Sequence, residues 1–149
     1  MKLTQYSDYS LRVLIYLGLR GEALSTISTI SESYGISRNH IVKVVHQLGQ
    51  LGYVETLRGK NGGLRLAHRP EDINVGEVVR YTEANMSLVE CFGDQNACVL
   101  TPNCVLRSAL SEALNAFLHV LDGYTLADLI EPRRALHKRL LPTVTERSA

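Results

Sequence analysis

Between Thr26 and Ala67 the chain carries a pattern that few folds accommodate. Ile41, Val44, Val45 and Leu48 recur at the three- and four-residue spacing of one helix face, which predicts a helix over about Arg38 to Gln50. Ser37 stands where a side-chain oxygen caps the first turn. Before it, Gly35 breaks a shorter helix predicted over about Thr26 to Ser33, with Ile27, Ile30 and Tyr34 inward. Glycine there can take the left-handed conformation that ends a helix. After it, Gly52–Leu57 and Leu64–Ala67 read as strands, and Asn61-Gly62 between them is a strong hairpin signal.

The outer face of the longer helix bears Arg38, Asn39, His40, Lys43, His46, Gln47 and Gln50. Arg and Lys bind phosphates or guanine edges, and Asn and Gln pair with adenine. The hairpin tip carries Arg58, Lys60 and Asn61 among glycines, and folding alone needs no basic residues there. A helix, a glycine turn, a capped helix and a basic hairpin make a winged helix-turn-helix. The plain alternative is an amphipathic helix with a solvated face, and the basic hairpin tips the balance toward DNA. Arg38, Asn39, His40 and Lys43 are therefore expected at the major groove, with Arg38 or Asn39 on a base edge. Arg58, Lys60 and Asn61 are expected along the backbone or in the minor groove.

Charge placement agrees. The net charge of the 149 residues is +1, but residues 1–70 hold nine basic against four acidic groups, and residues 71–149 hold seven against eleven. The basic half contains the predicted winged helix, so nucleic acid is expected at one end only. No run of about 18 apolar residues suits a membrane span. Met1-Lys2-Leu3-Thr4-Gln5 lacks the apolar region of a signal peptide. A cytoplasmic protein with reduced thiols and no membrane partner is the expectation.

A first helix is predicted from Ser7, as N-cap with Asp8 in its first turn, to about Gly18–Gly21. Asn74 and Glu77 form a capping-box pattern for a helix running to about Glu83. From Val105 to Leu121 the residues Leu106, Leu110, Ala113, Phe117 and Leu121 form one stripe, broadened by Ala109, Leu114 and Leu118. Such a helix is about 26 Å long, and a winged helix of residues 1–70 is too small to cover it. It reads as a dimerisation helix. Thr125 and Asp128 cap a short helix, and residues 131–149 read as a weakly ordered tail. The expected architecture is mainly α with a small β-hairpin wing. It divides into a winged helix at 1–70, a loop and dimerisation helix at 71–130, and the tail.

The loop of the second region holds all three cysteines, Cys91, Cys98 and Cys104, separated by Gly93, Asp94, Asn96, Pro102 and Asn103 among others. Gly, Asn, Asp and Pro favour irregular turns. A disulfide would leave one thiol over, and packing poorly explains three cysteines in a polar loop. Structural zinc usually uses closer Cys pairs, and an iron–sulfur cluster tolerates varied spacing. On spacing alone a cluster, zinc and a bare thiol switch all stand. A cysteine with His119 is a formal nucleophile–base pair. No glycine-rich phosphate loop or triad signature accompanies it, so no enzyme is expected.

Four stretches together resemble a known group. They are Leu3-Thr4-Gln5-Tyr6-Ser7-Asp8-Tyr9, Ser37 to Lys43, Arg58 to Gly63, and Tyr124 to Leu129. The group is NsrR, the nitric-oxide-sensing repressors among the iron–sulfur winged-helix regulators that also include IscR. The resemblance covers about residues 1–130. It implies a homodimer on palindromic operators, repression of nitric-oxide detoxification genes, and a cluster on Cys91, Cys98 and Cys104. It implies a 4Fe–4S cluster, with 2Fe–2S as the alternative. IscR adds a histidine three residues beyond the last cysteine. Arg107 occupies that position here, which disfavours the IscR reading. In NsrR-like proteins an aspartate of the partner subunit is the fourth ligand, and the matching residue is Asp8. Residue chemistry alone reads Asp8 as a helix-dipole carboxylate.

Overall fold

The computed structural model describes residues 1–141. The chain begins with α1 (Gln5–Arg20), α2 (Ile27–Tyr34) and α3 (Arg38–Gln50), then strands β1 (Val54–Leu57) and β2 (Gly63–Leu66). Four helices follow: α4 (Val75–Thr82), α5 (Val105–Asp122), α6 (Leu126–Leu129) and α7 (Arg133–Leu140). The winged helix-turn-helix is present, mainly α with one two-stranded antiparallel sheet.

Helix α1 is the centre of the molecule. Val13, Leu14, Tyr16, Leu17 and Leu19 are buried, so apolar contact surrounds its second half on every side. Packed on it are Ile30 of α2, Ile41 and Leu48 of α3, Leu64 of β2, Val78 of α4, and Leu126 and Ile130. Gly18 permits the last of these contacts, because a Cβ there would meet Ile130 Cδ1 at 3.3 Å. The α3 stripe of Ile41, Val44, Val45 and Leu48 is buried as expected, and Ser37 caps the helix by accepting from His40 N–H at 3.3 Å. Gly35 sits at φ 63°, the left-handed conformation that closes α2.

Three expectations need correction. The N-cap of α1 is Thr4, not Ser7. Ser7 is fully buried and its hydroxyl donates to the carboxylate of Glu83, 76 residues away. No local pattern encodes a bond that long. The hairpin turn is also placed differently. Leu57 pairs with Gly63, leaving a five-residue loop, and the positive φ lies at Gly59 (108°) rather than at Asn61-Gly62. Finally, Arg133–Leu140 form α7, where a weakly ordered tail was expected. Leu136, Leu140 and Leu141 pack on the core, and Arg133 Nη2 donates to Leu19 O at 3.1 Å. Residues 142–149 lie outside the described residues.

Gly62 has a steric rather than a conformational reason. A Cβ there would lie 2.1 Å from Leu57 O, a backbone atom that cannot step aside without breaking the hairpin register. Gly62→Ala should cost about 1–3 kcal/mol and abolish hydrogen-exchange protection across Leu57–Leu66. A variant with unchanged melting and intact protection would show that the turn accommodates a side chain.

Candidate DNA interface and cysteine loop

Among the described residues the outer face of α3 is largely exposed. Arg38, Asn39, His40, Lys43, His46 and Gln47 are exposed, and so are Arg58, Lys60 and Asn61 at the hairpin tip. The fold therefore puts every expected DNA-contacting residue on two neighbouring exposed elements. Two of them have protein partners that spacing did not reveal. Arg38 Nη1 donates to Ser28 Oγ across the helix-turn-helix corner. The His40 ring leans on Tyr9 with centroids 5.9 Å apart.

The wing is anchored beneath its tip. Ser25, in the linker before α2, pairs with Leu64 through two backbone hydrogen bonds of 2.9 and 2.7 Å. Arg65 on β2 bridges Glu55 and Glu22, so that cation is engaged within the protein. Arg58 and Lys60 make no ion pair among the described residues, so both charges stand unneutralised at the tip.

The second region hangs from the first by a clasp. Glu83, directly after α4, accepts from Thr4 N–H at 2.7 Å, from Thr4 Oγ1 at 2.9 Å and from Ser7 Oγ. Partial burial alone would raise the pKa of this carboxyl. The hydrogen bonds from Ser7 and Thr4 outweigh it and hold the pKa below its ordinary value. Glu83 thus locks the first turn of α1 to the start of the cysteine loop. Nothing in the spacing of these three residues signals it.

Asp8 lies in that same first turn. Its carboxylate holds Arg12 in a two-point pair, with Nε–Oδ1 at 3.0 Å and Nη2–Oδ2 at 2.8 Å. The hydrogen bond that Arg12 donates to Asp8 raises the pKa of Arg12. Arg12 also stands 5.9 Å over the Tyr9 ring. The plain helix-dipole role is therefore supplemented by an ion pair one turn along.

The cysteine loop is irregular, as expected, with short 3₁₀ turns at Glu90–Phe92 and Thr101–Asn103. Cys91 and Cys104 are half-buried, Cys98 is exposed, and all three thiols are free. Arg107 on α5 donates through Nε to Cys91 O at 3.2 Å, tying the loop to the helix. Cys104 is the N-cap residue of α5. The thiols do not converge: among the described residues no three His, Cys, Asp or Glu side chains form a group that could hold a metal ion. The donor chemistry still fits a metal, because three unpaired, reachable thiols on one loop are soft anionic ligands once deprotonated.

Helix α5 has no buried residue. Its C-terminal end is fixed to α4 by Arg80–Asp122 and by Asn74 Nδ2 donating to Asp122 O at 2.7 Å. Asn74 caps α4 by accepting from Glu77 N–H at 3.0 Å, which realises the backbone half of the capping box. The rest of α5 projects, with Leu106 64% and Val120 60% exposed on the face that also holds Leu110, Ala113 and Phe117. No described helix is long and apolar enough to cross a membrane.

Known proteins share this arrangement. The chain is 56% identical over 142 residues to the transcriptional regulator NsrR of Bacillus subtilis, covering 94% of this chain and 97% of the relative. It is 57% identical to NsrR of Geobacillus kaustophilus over the same length and coverage. Among solved structures, CymR, the global cysteine regulator of B. subtilis, matches with a TM-score of 0.71 at 28% identity. That match covers 87% of this chain and 95% of CymR. IscR of T. potens matches with a TM-score of 0.71 at 26% identity, covering 89% and 88%. The relatives are transcriptional regulators, so the chain is a regulator and not an enzyme, and the Cys–His119 pairing has no catalytic meaning. The model of one family matches residues 3–132, nearly the whole described fold, and the chain accordingly belongs to the Rrf2 family of iron-dependent transcriptional regulators.

Proposed function

We propose that the protein is a cytoplasmic, homodimeric repressor that binds palindromic operator DNA and is released by nitric oxide acting on an iron–sulfur cluster. The observation that carries this reading is one chain's combination of an uncovered basic face on α3 and the wing, an uncovered apolar face on α5, and three free thiols between them. In this reading residues 1–70 bind DNA and residues 71–130 carry the loop and the dimer contact. Cys91, Cys98 and Cys104 would hold the cluster, of the 4Fe–4S type, with Asp8 of the partner subunit as fourth ligand. When bound, the cluster supplies iron to which nitric oxide binds strongly.

The protein's own part is to turn a change of ligation into a change of geometry. A carboxylate is a weaker iron ligand than a thiolate, so Asp8 would be the most readily displaced of the four proposed ligands. Arg12 is placed to take the carboxylate back, since the two already pair within one turn of α1. Glu83 fixes that turn to the loop, so movement of the loop is passed to α1 and from there to α3, which packs on it. Dimer half-sites must match a DNA repeat of about 34 Å, so a small rotation of the recognition helices is enough to lose register. The shift in operator affinity equals the difference in stability that ligation makes between the two geometries.

The DNA reading is tested by two variants that should differ in kind. Lys60→Ala should weaken binding to operator and random DNA alike and make the log–log salt slope shallower by roughly one, if it neutralises one phosphate. Asn39→Ala should cost about 1–3 kcal/mol on the operator alone. Equal losses for both variants on both DNAs would mean that α3 does not read bases.

A further inference from the structure

We propose that the cleft between the N-terminus of α2 and the wing is a seat for one backbone phosphate, with Arg38 as its cation. The proposal rests on the DNA-binding reading and changes one assignment within it. Sequence alone offered Arg38 as a base reader, and the geometry moves it to the backbone.

Arg38 is the first residue of α3, but its guanidinium does not follow the outward face of that helix. It crosses to α2 and donates to Ser28 Oγ. The cleft it enters has a volume of about 230 Å³ and is lined by Ser25, Thr26, Ser28, Arg38, Thr56 and Gly63 among others, with no carboxylate. That is room for a phosphate group. Hydroxyls, amides and a guanidinium in a wall without an anion suit a tetrahedral oxyanion.

Two features supply donors that the protein leaves unused. The first turn of α2 has amide groups without an intrahelical acceptor, and Thr26 caps only Thr29 N–H, at 3.1 Å. The positive end of the helix adds to their pull on an anion. Independently, Ser25 is 3% exposed and its hydroxyl has no partner among the described residues. A buried hydroxyl without a partner is unfavourable, and a phosphate oxygen would relieve it. Gly63 lets β2 lie close against the linker that forms one wall of the cleft, since a Cβ there would lie 2.9 Å from both Ser25 O and Leu24 Cβ.

The position identifies the source of the phosphate. The cleft lies where α2, the start of α3 and the wing meet. In the reading proposed above, α3 lies in the major groove and the wing along the backbone or in the minor groove. The strand that separates two adjacent grooves is the sugar–phosphate backbone, and it must pass over this junction.

The test uses full-length protein and a set of operators, each with one phosphate replaced by neutral methylphosphonate. One replacement in each half-site should weaken the unmodified protein about tenfold, the loss of a charge-assisted contact. The same replacement should change binding of Arg38→Gln by less than about twofold, because its partner is already gone. Arg38→Gln should itself lose affinity equally on operator and random DNA, with a salt slope shallower by about one. Ser25→Ala should weaken DNA binding several-fold while melting no lower than the parent, which separates a ligand contact from a packing role. A loss by Arg38→Gln confined to the operator, or equal effects of every methylphosphonate on both proteins, would overturn the proposal. Failure of the unmodified protein to prefer operator over random DNA would instead overturn the DNA reading beneath it.

Discussion

Cys91→Ala, Cys98→Ala and Cys104→Ala should each leave anaerobically purified protein without iron, sulfide or visible absorption, and with operator binding at the cluster-free level. A cluster held by three thiolates from one loop opens to solvent when any one is lost. The fold itself should be untouched. From Glu83 to Thr125 no residue is buried, so the loop adds nothing to the core, and thermal melting of the apo-proteins should coincide with that of apo parent. Asp8→Ala should behave differently, keeping iron while shifting the spectrum, because a carboxylate is the weakest of the proposed ligands. Full iron, sulfide and spectrum in any single cysteine variant would remove that cysteine from the ligand set.

The second large effect is expected on α5. Leu106→Glu combined with Val120→Glu should convert the dimer to monomers and reduce operator binding to a half-site level. Both side chains are mostly exposed within one chain, so charges there cost the monomer little. At a dimer interface the same charges are buried without partners, four per dimer. That should raise the dimer dissociation constant by roughly a thousandfold or more. Sedimentation of the variant at micromolar concentration reads the result directly. A variant that remains dimeric would place the interface elsewhere and leave the α5 face without its proposed role.

What could be read from the chain divides along the range of the interactions. Helix α3, its Ser37 cap and the Gly35 break depend on residues within one or two turns, and all three agree with the structure. The exposed face of α5 was legible for a related reason: a wide apolar stripe beyond residue 70 exceeds what a small domain can cover. The Thr4 cap was not legible, because Ser7 looks like a cap until Glu83 claims its hydroxyl from the far end of the domain. The partner of Arg38 was hidden in the same way. The place of Arg38 at the start of α3 suggests a base reader, and only the packing of α2 beside it brings Ser28 within reach. Helix α7 was hidden by composition. Arg133, Arg134, Lys138 and Arg139 mask the i, i+4 pair of Leu136 and Leu140 that docks it. The three cysteines are the clearest case. Their number and loop were plain, but the described residues do not bring them together, and the metal and second subunit proposed to do so are not written in periodicity.

In the proposed function the cysteine loop controls operator affinity through nitric oxide. The most direct measurement is an anaerobic titration of cluster-loaded protein with nitric oxide, following visible absorption and operator binding in one sample. Binding should be tight at the start, and affinity should fall in step with the loss of the cluster spectrum. Cluster-free protein should match the end point. Tight operator binding that persists after the spectrum is fully converted would contradict the sensing mechanism while leaving the winged helix in place.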